Sequence, residues 1–144
     1  MRRGQHARGA AHTYLADKYA DKRLAPAVGT PARGLYYQWM IYAMATLEPP
    51  VVQIFLNTVM LPEAERSPAA VEKAKTQFAD VARVLSNALV TRPYILGEQF
   101  SAADVLIGGT IGWAGMMGLL GDFPTLSAYA KGLSERPAFQ RARS

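Results

Sequence analysis

The sequence predicts an all-α fold. Apolar residues recur at helical spacing over long segments, and the β-branched residues lie inside those segments instead of in alternating runs. Prolines placed directly after hydroxyl residues, as in Thr30-Pro31 and Ser67-Pro68, are typical of helix starts. With 144 residues, of which 50% are hydrophobic and 19% charged, the chain can bury one core. We therefore expect a bundle of about five helices, preceded by a short N-terminal helix.

The first helix is expected at residues 9–19, with Ala10 and Tyr14 on one apolar face, joined by Ala11 and Leu15. Residues 1–9 are basic and are not followed by an apolar stretch, so they do not form a secretory signal. We predict that they form a solvated tail. A Pro- and Gly-containing linker follows at residues 24–29.

A long helix should begin at Thr30-Pro31, because the Thr hydroxyl can accept from a free backbone N–H and Pro loses no hydrogen bond there. It extends to about residue 60. Pro49 and Pro50 remove two backbone donors, so we expect a kink or a split. Its apolar face consists of Tyr36, Met40, Ala43, Met44, Leu47, Val51, Ile54, Phe55 and Val59.

The next helix is expected from Ser67-Pro68 to about residue 90, antiparallel to the long helix across the connection at residues 61–66. Its core face has the helical register. This face consists of Val71, Ala74, Phe78, Val81, Leu85 and Leu89.

Ser101 and Asp104 predict a capping box: the Ser hydroxyl can cap the Asp104 N–H, and the carboxylate can reach back to the Ser101 N–H. The helix that follows has no charge over residues 105–121 and should be the central helix of the bundle. Its Gly108-x-x-x-Gly112 spacing also occurs in membrane helices. However, its length is marginal for a membrane span and it lacks flanking Lys or Arg, so we expect a helix buried inside the bundle and no membrane-spanning segment. Two further helices should start near Pro124 and Pro137.

The composition restricts the chemistry. The chain has no cysteine, and its two histidines, His6 and His12, have no acidic neighbour before Asp17, so we expect no metal site. The net charge of +5 comes from residues spread along the chain, which argues against nucleic-acid binding. Ser101 has no histidine partner to activate it. We therefore expect no catalytic residue in this chain.

Three segments resemble the glutathione S-transferase family. Residues 94–105 resemble the signature of the family's C-terminal helical domain. In this signature, two apolar residues are followed by Gly, an acidic residue, any residue and an aromatic residue, and the run leads into Ser-x-x-Asp. Phe123-Pro124 and Arg136-Pro137-Ala138-Phe139 resemble its closing pattern, with Leu126 and Tyr129 between them. Residues 13–19 are similar to the last helix of the family's thioredoxin-like domain. The resemblance covers residues 9–141.

The resemblance implies a remnant of the thioredoxin-like domain at residues 1–24 and the C-terminal domain at residues 25–144. In the family, the thioredoxin-like half supplies the catalytic Ser, Tyr or Cys and grips glutathione with an acidic-Ser pair. We expect that half to be missing here, since only about one of its helices remains. The acidic-Ser pair should open that helix, and Ala7 and Arg8, which stand there, cannot replace it. The chain should then hold no cofactor, glutathione being the family's co-substrate, and should be cytoplasmic.

The resemblance also implies a surface for a hydrophobic co-substrate, to which we assign Tyr36, Tyr37, Met40, Trp113 and Met117. Met and aromatic residues at helical spacing are more often core residues, and the co-substrate surface is the alternative interpretation for each of them. We expect a glutathione-conjugating transferase domain that is inactive alone. The alternative is a non-catalytic helical protein-interaction module. The expected partners are a second copy of the chain or a thioredoxin-like domain, together with a hydrophobic small molecule.

Overall fold

The computed structural model describes residues 3–143, with side chains from residue 9 onward, and these residues form no β-sheet. The only strand-like feature among them is an isolated bridge between Tyr94 and Gly97. The all-α prediction is confirmed. The helices are α1 (Arg3–Lys18), α2 (Pro31–Tyr42), α3 (Glu48–Phe55), α4 (Pro68–Leu89), α5 (Ala102–Met116), α6 (Pro124–Ser134) and α7 (Pro137–Arg143).

Helices α2 and α3 form one continuous helix, Pro31–Met60, so of the expected kink or split at the prolines the split does not occur. They are joined by a π-helical turn, Ala43–Leu47, in which the Glu48 N–H bonds to the carbonyl five residues back. This wide turn lies directly before Pro49 and Pro50, where a proline ring would clash with the carbonyl four residues earlier in a regular α-helix. The helix widens instead of breaking. The described residues therefore contain α1 and five further helices, as expected.

Helix α4 runs antiparallel to the long helix, as predicted. The Tyr42 hydroxyl donates to the Val81 carbonyl at 3.3 Å, whereas Asn57 Oδ1 accepts from the Ser67 N–H at 3.0 Å. Residue numbers thus rise along one helix as they fall along the other. Both predicted helix starts are also present, since the Thr30 hydroxyl accepts from the Arg33 N–H at 3.3 Å and the Ser67 hydroxyl accepts from the Ala70 N–H at 3.2 Å.

Helix α5 packs against α1, the long helix and α6, and most of its side chains are buried, which confirms its central position. A narrow stripe containing Val105, Gly109 and Met116 remains exposed. Gly108 allows α6 to approach closely, because a Cβ at this position would lie 2.3 Å from a methyl group of Leu133. The buried residues of α5 are Ala102, Ala103, Asp104, Leu106, Ile107, Ile111 and Ala114.

Helix α1 differs most from expectation. It begins at Arg3, so the backbone of residues 3–8 is helical and not a tail, whereas residues 1–2 lie outside the described range. The predicted apolar face points outward, since Tyr14 is 62% and Leu15 46% exposed, while Ala16 is 2% exposed. The contact with the bundle is too close for large side chains: a Cβ on Gly9 would lie 3.2 Å from Met44 Cγ. Apart from half-buried His12, small residues therefore face the bundle.

The long helix is also, among the residues described, the one helix that is long and apolar enough to cross a membrane by length and composition alone. The sequence suggested a different segment, residues 105–121. In the bundle, the long helix supplies Tyr36, Met40, Leu47 and Val51 to the core. Its apolar character is therefore accounted for by packing within this domain.

Candidate functional site

Asp104 is a buried polar side chain that accepts four hydrogen bonds. It is fully buried, and its Oδ1 accepts from the Ile95 N–H and from the Tyr129 hydroxyl, both at 2.8 Å. Its Oδ2 accepts from the Ser101 N–H at 2.8 Å and from the Ser101 hydroxyl at 3.0 Å. One carboxyl group therefore connects the start of α5, the preceding loop and α6. The Ser101 hydroxyl is engaged with this carboxyl and has no base to activate it, which fits a structural role.

The predicted capping box is present, with one difference. Ser101 and Asp104 face each other as the motif requires. However, the Ser101 hydroxyl donates to the Asp104 carboxyl, which also accepts from the Ser101 N–H. Burial raises the pKa of Tyr129, and the negative charge and hydrogen bond of Asp104 raise it further. Tyr129 therefore remains a neutral donor at all ordinary pH values.

A second buried polar group lies in the seam between α1 and α2. Arg33 is 5% exposed; its guanidinium donates to Asp17 of α1 and, at 2.8 Å, to the carbonyl of Pro26 in the linker. The same group lies against two rings, 5.1 Å from the centroid of Tyr36 and 4.8 Å from that of Tyr37. One side chain thus joins α2 to α1 and to the segment between them.

The charge of Arg33 is maintained despite burial. Burial lowers the pKa of Arg33, but the hydrogen bond to Asp17 and contacts with Tyr37 raise it by more, so its net shift is upward. Burial raises the pKa of Tyr36, and the nearby Thr13 hydroxyl and Arg33 lower it by less. The seam therefore contains a permanent cation and a neutral tyrosine.

The five residues assigned to a co-substrate surface do not form one group. Tyr36 and Met40 are core residues, 0% and 4% exposed, whereas Tyr37 is 42% exposed beside them. Trp113 and Met117 are partly buried at the other end of the bundle.

The distance between the two groups follows from the long helix. Trp113 packs edge-on against Phe55, with ring centroids 5.0 Å apart. Phe55 lies 19 residues after Tyr36, which is about 28 Å at 1.5 Å per residue. One small molecule cannot contact both groups, and the co-substrate role of these residues stays a prediction.

The described residues contain no group of three or more His, Cys, Asp or Glu that could hold a metal ion. His12 is half-buried on the inner face of α1. Ala7 and Arg8 are in the helical backbone of α1, but their side chains lie outside the described part of the chain. The prediction about the glutathione grip at these two positions is therefore untested.

Sequence reasoning missed the seam around Arg33. A signal was available, because Arg33 and Glu48 are the only charged residues between Arg23 and Glu63. An isolated charge in an apolar helix is either solvent-exposed or paired, and both of these residues are buried. The choice between these two outcomes requires the position of α1.

Comparisons with known proteins agree with this fold. The family model "Glutathione S-transferase, C-terminal domain" matches residues 47–137. The bacterial glutathione S-transferase BphK, solved as a ternary complex, has a TM-score of 0.83 and 27% identity, covering 93% of this chain and 64% of its own. A sphingomonad glutathione S-transferase complexed with glutathione has a TM-score of 0.81 and 26% identity, with coverage of 93% and 64%.

A theta class glutathione S-transferase from the citrus canker pathogen Xanthomonas axonopodis pv. citri, in its apo form, has a TM-score of 0.75 and 32% identity, covering 92% of this chain and 71% of its own. The chain thus spans 64% of the length of BphK and of the sphingomonad enzyme. A sequence comparison with curated proteins finds no match.

Proposed function

Because the chain belongs to the glutathione S-transferase C-terminal domain family, we propose that it is the helical, co-substrate side of a glutathione-conjugating transferase and does not conjugate glutathione by itself. The family match over residues 47–137 carries this proposal. In the family, glutathione is bound by a thioredoxin-like half, and the residues described here form no sheet of that kind. Conjugation needs the glutathione thiolate, and this thiolate forms near neutral pH only when a hydrogen-bond donor or a positive charge lies beside the sulfur.

The outward face of α1 supports a thioredoxin-like partner segment. Tyr14 and Leu15 on α1 are 62% and 46% exposed and Tyr19, directly after the helix, is 47% exposed, although apolar and aromatic residues normally face a packed neighbour. A sheet packed on this face would bury all three. We propose that the thioredoxin-like part of the complete enzyme occupies this position.

We place the hydrophobic co-substrate at Trp113, Met117 and Phe55. Trp113 packs on Phe55 near the ends of the long helix and α5, and Met117 directly follows α5 and is partly buried. Val59 and Met116, near the same two helix ends, are exposed apolar residues. A partly open aromatic and methionine surface can adapt to apolar molecules of different shape. In this proposal, Tyr36 and Met40 are core residues that do not contact the co-substrate.

An activity assay tests the first part of the proposal. The purified 144-residue chain should show no glutathione-dependent rate above background with a chloronitrobenzene electrophile and should not be retained on immobilised glutathione. An ion pair between an exposed Arg of this chain and a carboxylate of glutathione would contribute less than about 1 kcal/mol to binding. A saturable, glutathione-dependent rate would overturn the proposal.

Tryptophan fluorescence tests the co-substrate surface, because Trp39 and Trp113 are the only tryptophans. In Trp39→Phe, where Trp113 is the remaining reporter, an apolar aromatic ligand should quench fluorescence in a saturable way. The matched variant Trp113→Phe leaves Trp39, which packs on Tyr42 with centroids 5.3 Å apart, and should show no quenching. Equal quenching in both variants would place the ligand elsewhere.

One observation favours the alternative function, a protein-interaction module. Arg33 and Glu48, the only charges of the long helix, are buried, so its exposed side chains, including Leu35 and Ile41, carry no charge. An uncharged, largely apolar surface favours association. We expect a dimer or partner-bound state, dissociated by Ile41→Glu, in sedimentation velocity. A monodisperse monomer at all concentrations would contradict this expectation.

A further inference from the structure

Helix α1 makes a weak apolar contact with the bundle. Its inward residues are mostly small: Gly9 and Thr13 are half-buried and Ala16 is buried, with half-buried His12 as the larger residue among them. Its large side chains, Tyr14 and Leu15, point away. Because apolar stabilisation scales with the area removed from water, a face built from small residues contributes little. The attachment of α1 therefore depends on its polar contacts more than that of α4 or α5 does.

Arg33 supplies that polar contact from α2. Its guanidinium is held on one side by Asp17, the one acidic residue of α1, and on another by the Pro26 carbonyl. Tyr36 and Tyr37 lie against it and hold its orientation. The Arg33 side chain is 6% exposed and that of Asp17 is 45% exposed, so water screens this pair only in part, whereas it screens the exposed pairs of this chain on both sides.

The seam is also incompletely satisfied. Arg33 Nε is buried and has no hydrogen-bond partner among the described residues. A buried donor without an acceptor destabilises the closed arrangement. By contrast, each of the two oxygens of Asp104, at the start of α5, accepts two hydrogen bonds. The closed position of α1 is therefore held by a charged contact whose hydrogen-bonding positions are incompletely filled.

We propose that Arg33 is a latch for α1: its contact with Asp17 holds the helix at a fixed position on the bundle, and loss of that contact releases α1 as a unit while α2 to α7 stay folded. This property belongs to the chain itself and goes beyond its proposed function. Arg33 is a positioning residue in this proposal, since it acts through α1.

Hydrogen exchange of the full chain tests the latch. Asp17→Ala removes the carboxylate, and Ala favours helix more than Asp does, so faster exchange cannot arise from lower helix propensity. We expect amide protection in residues 13–19 to fall at least about tenfold, while protection in α4 and α5 changes less than about twofold. The matched control is Asp80→Ala, which breaks the exposed pair with Arg83 on α4 and should leave α1 unchanged.

Two outcomes would overturn the proposal: unchanged protection of residues 13–19, or an equal loss of protection in every helix, which would make the contact a general stabiliser. Asp17→Glu keeps a carboxylate and should restore most of the protection lost in Asp17→Ala. No restoration would mean that the charged contact does not hold α1. None of these readouts involves glutathione, so the latch can fail while the proposed function stands.

The position of α1 can also be measured directly, because the chain has no native cysteine. Spin labels at Tyr14→Cys on α1 and Val84→Cys on α4 occupy two exposed positions. Pulsed EPR should give one narrow distance distribution in the otherwise native chain and a broad one when Asp17→Ala is added. A distribution that remains narrow after Asp17→Ala would count against release of α1.

Discussion

The starts of α5 and α2 both use one buried side chain to join segments, but they do so with different completeness. Asp104 accepts four hydrogen bonds from three segments of the chain. Arg33 joins α2 to α1 and the linker, yet one of its nitrogens has no described partner. The comparison shows that burial of a polar group does not by itself make a strong anchor. What matters is how many of its hydrogen-bonding positions are filled.

The strongest way to break the α5 anchor is Asp104→Ala. This change leaves the N–H groups of Ile95 and Ser101 and the hydroxyl of Tyr129 without their acceptor. At about 1–3 kcal/mol for each unsatisfied buried donor, the free energy of unfolding should fall by at least about 3 kcal/mol. Urea denaturation followed by circular dichroism measures this loss. The exposed Asp80→Ala is the control, and a loss below about 1 kcal/mol for Asp104→Ala would contradict the anchor role.

The second prediction concerns the packing that the anchor brings about between α5 and α6. Gly108→Ala places a methyl group 2.3 Å from Leu133 Cδ1, so the Leu133 side chain must shift. Because this atom is the end of a flexible side chain, we expect a cost of about 1 kcal/mol, at the low end for overpacking. The neighbouring Gly109→Ala meets nothing within 4 Å and should be neutral or stabilise by up to about 1 kcal/mol through helix propensity. Thermal unfolding of both variants makes the comparison. Shifts of the same sign and size would show that α6 does not approach α5 at Gly108.

Tyr129→Phe removes one of the four hydrogen bonds to Asp104 and should cost about 1 kcal/mol at neutral pH. Its pH dependence is more informative, since burial raises the pKa of Tyr129. Above pH 10, the ordinary tyrosine pKa, the unfolded chain releases the proton that the folded chain keeps, so stability falls by up to about 1.4 kcal/mol per pH unit. Tyr129→Phe should lack this contribution. The exposed Tyr14→Phe should keep the native slope, and parallel curves for all three proteins would refute the prediction.

Ser101→Ala should have the smallest effect. The Asp104 carboxyl still accepts from the Ser101 N–H, and only the hydroxyl contact and the reciprocal cap are lost. We expect a loss of about 0.5–1 kcal/mol in the free energy of unfolding. In the double variant with Asp104→Ala, the combined loss should be less than the sum of the single losses, because the residues share one motif. Additive losses would show that the two side chains act independently.

These two regions also differ in how far the sequence predicted them. The capping pair Ser101 and Asp104 lies within four consecutive residues, so its geometry follows from local helix chemistry. The two helix starts at Thr30 and Ser67 were predicted for the same reason, and the structure contains both. The arrangement of Tyr129 and Ile95 around Asp104 was not predicted, since these residues come from other segments.

The sequence by itself determined the helical class, the number and order of the helices and the local caps, because periodicity and capping are properties of neighbouring residues. Tertiary structure alone decided which face of α1 turns inward, that Arg33 is buried against Asp17, and that Trp113 packs on Phe55, about 28 Å along the long helix from Tyr36. The apolar pattern of α1 predicted the wrong face, because a helix that approaches another closely must present small residues whatever its most apolar face is. Periodicity identifies the faces of a helix, whereas the available space determines which face packs.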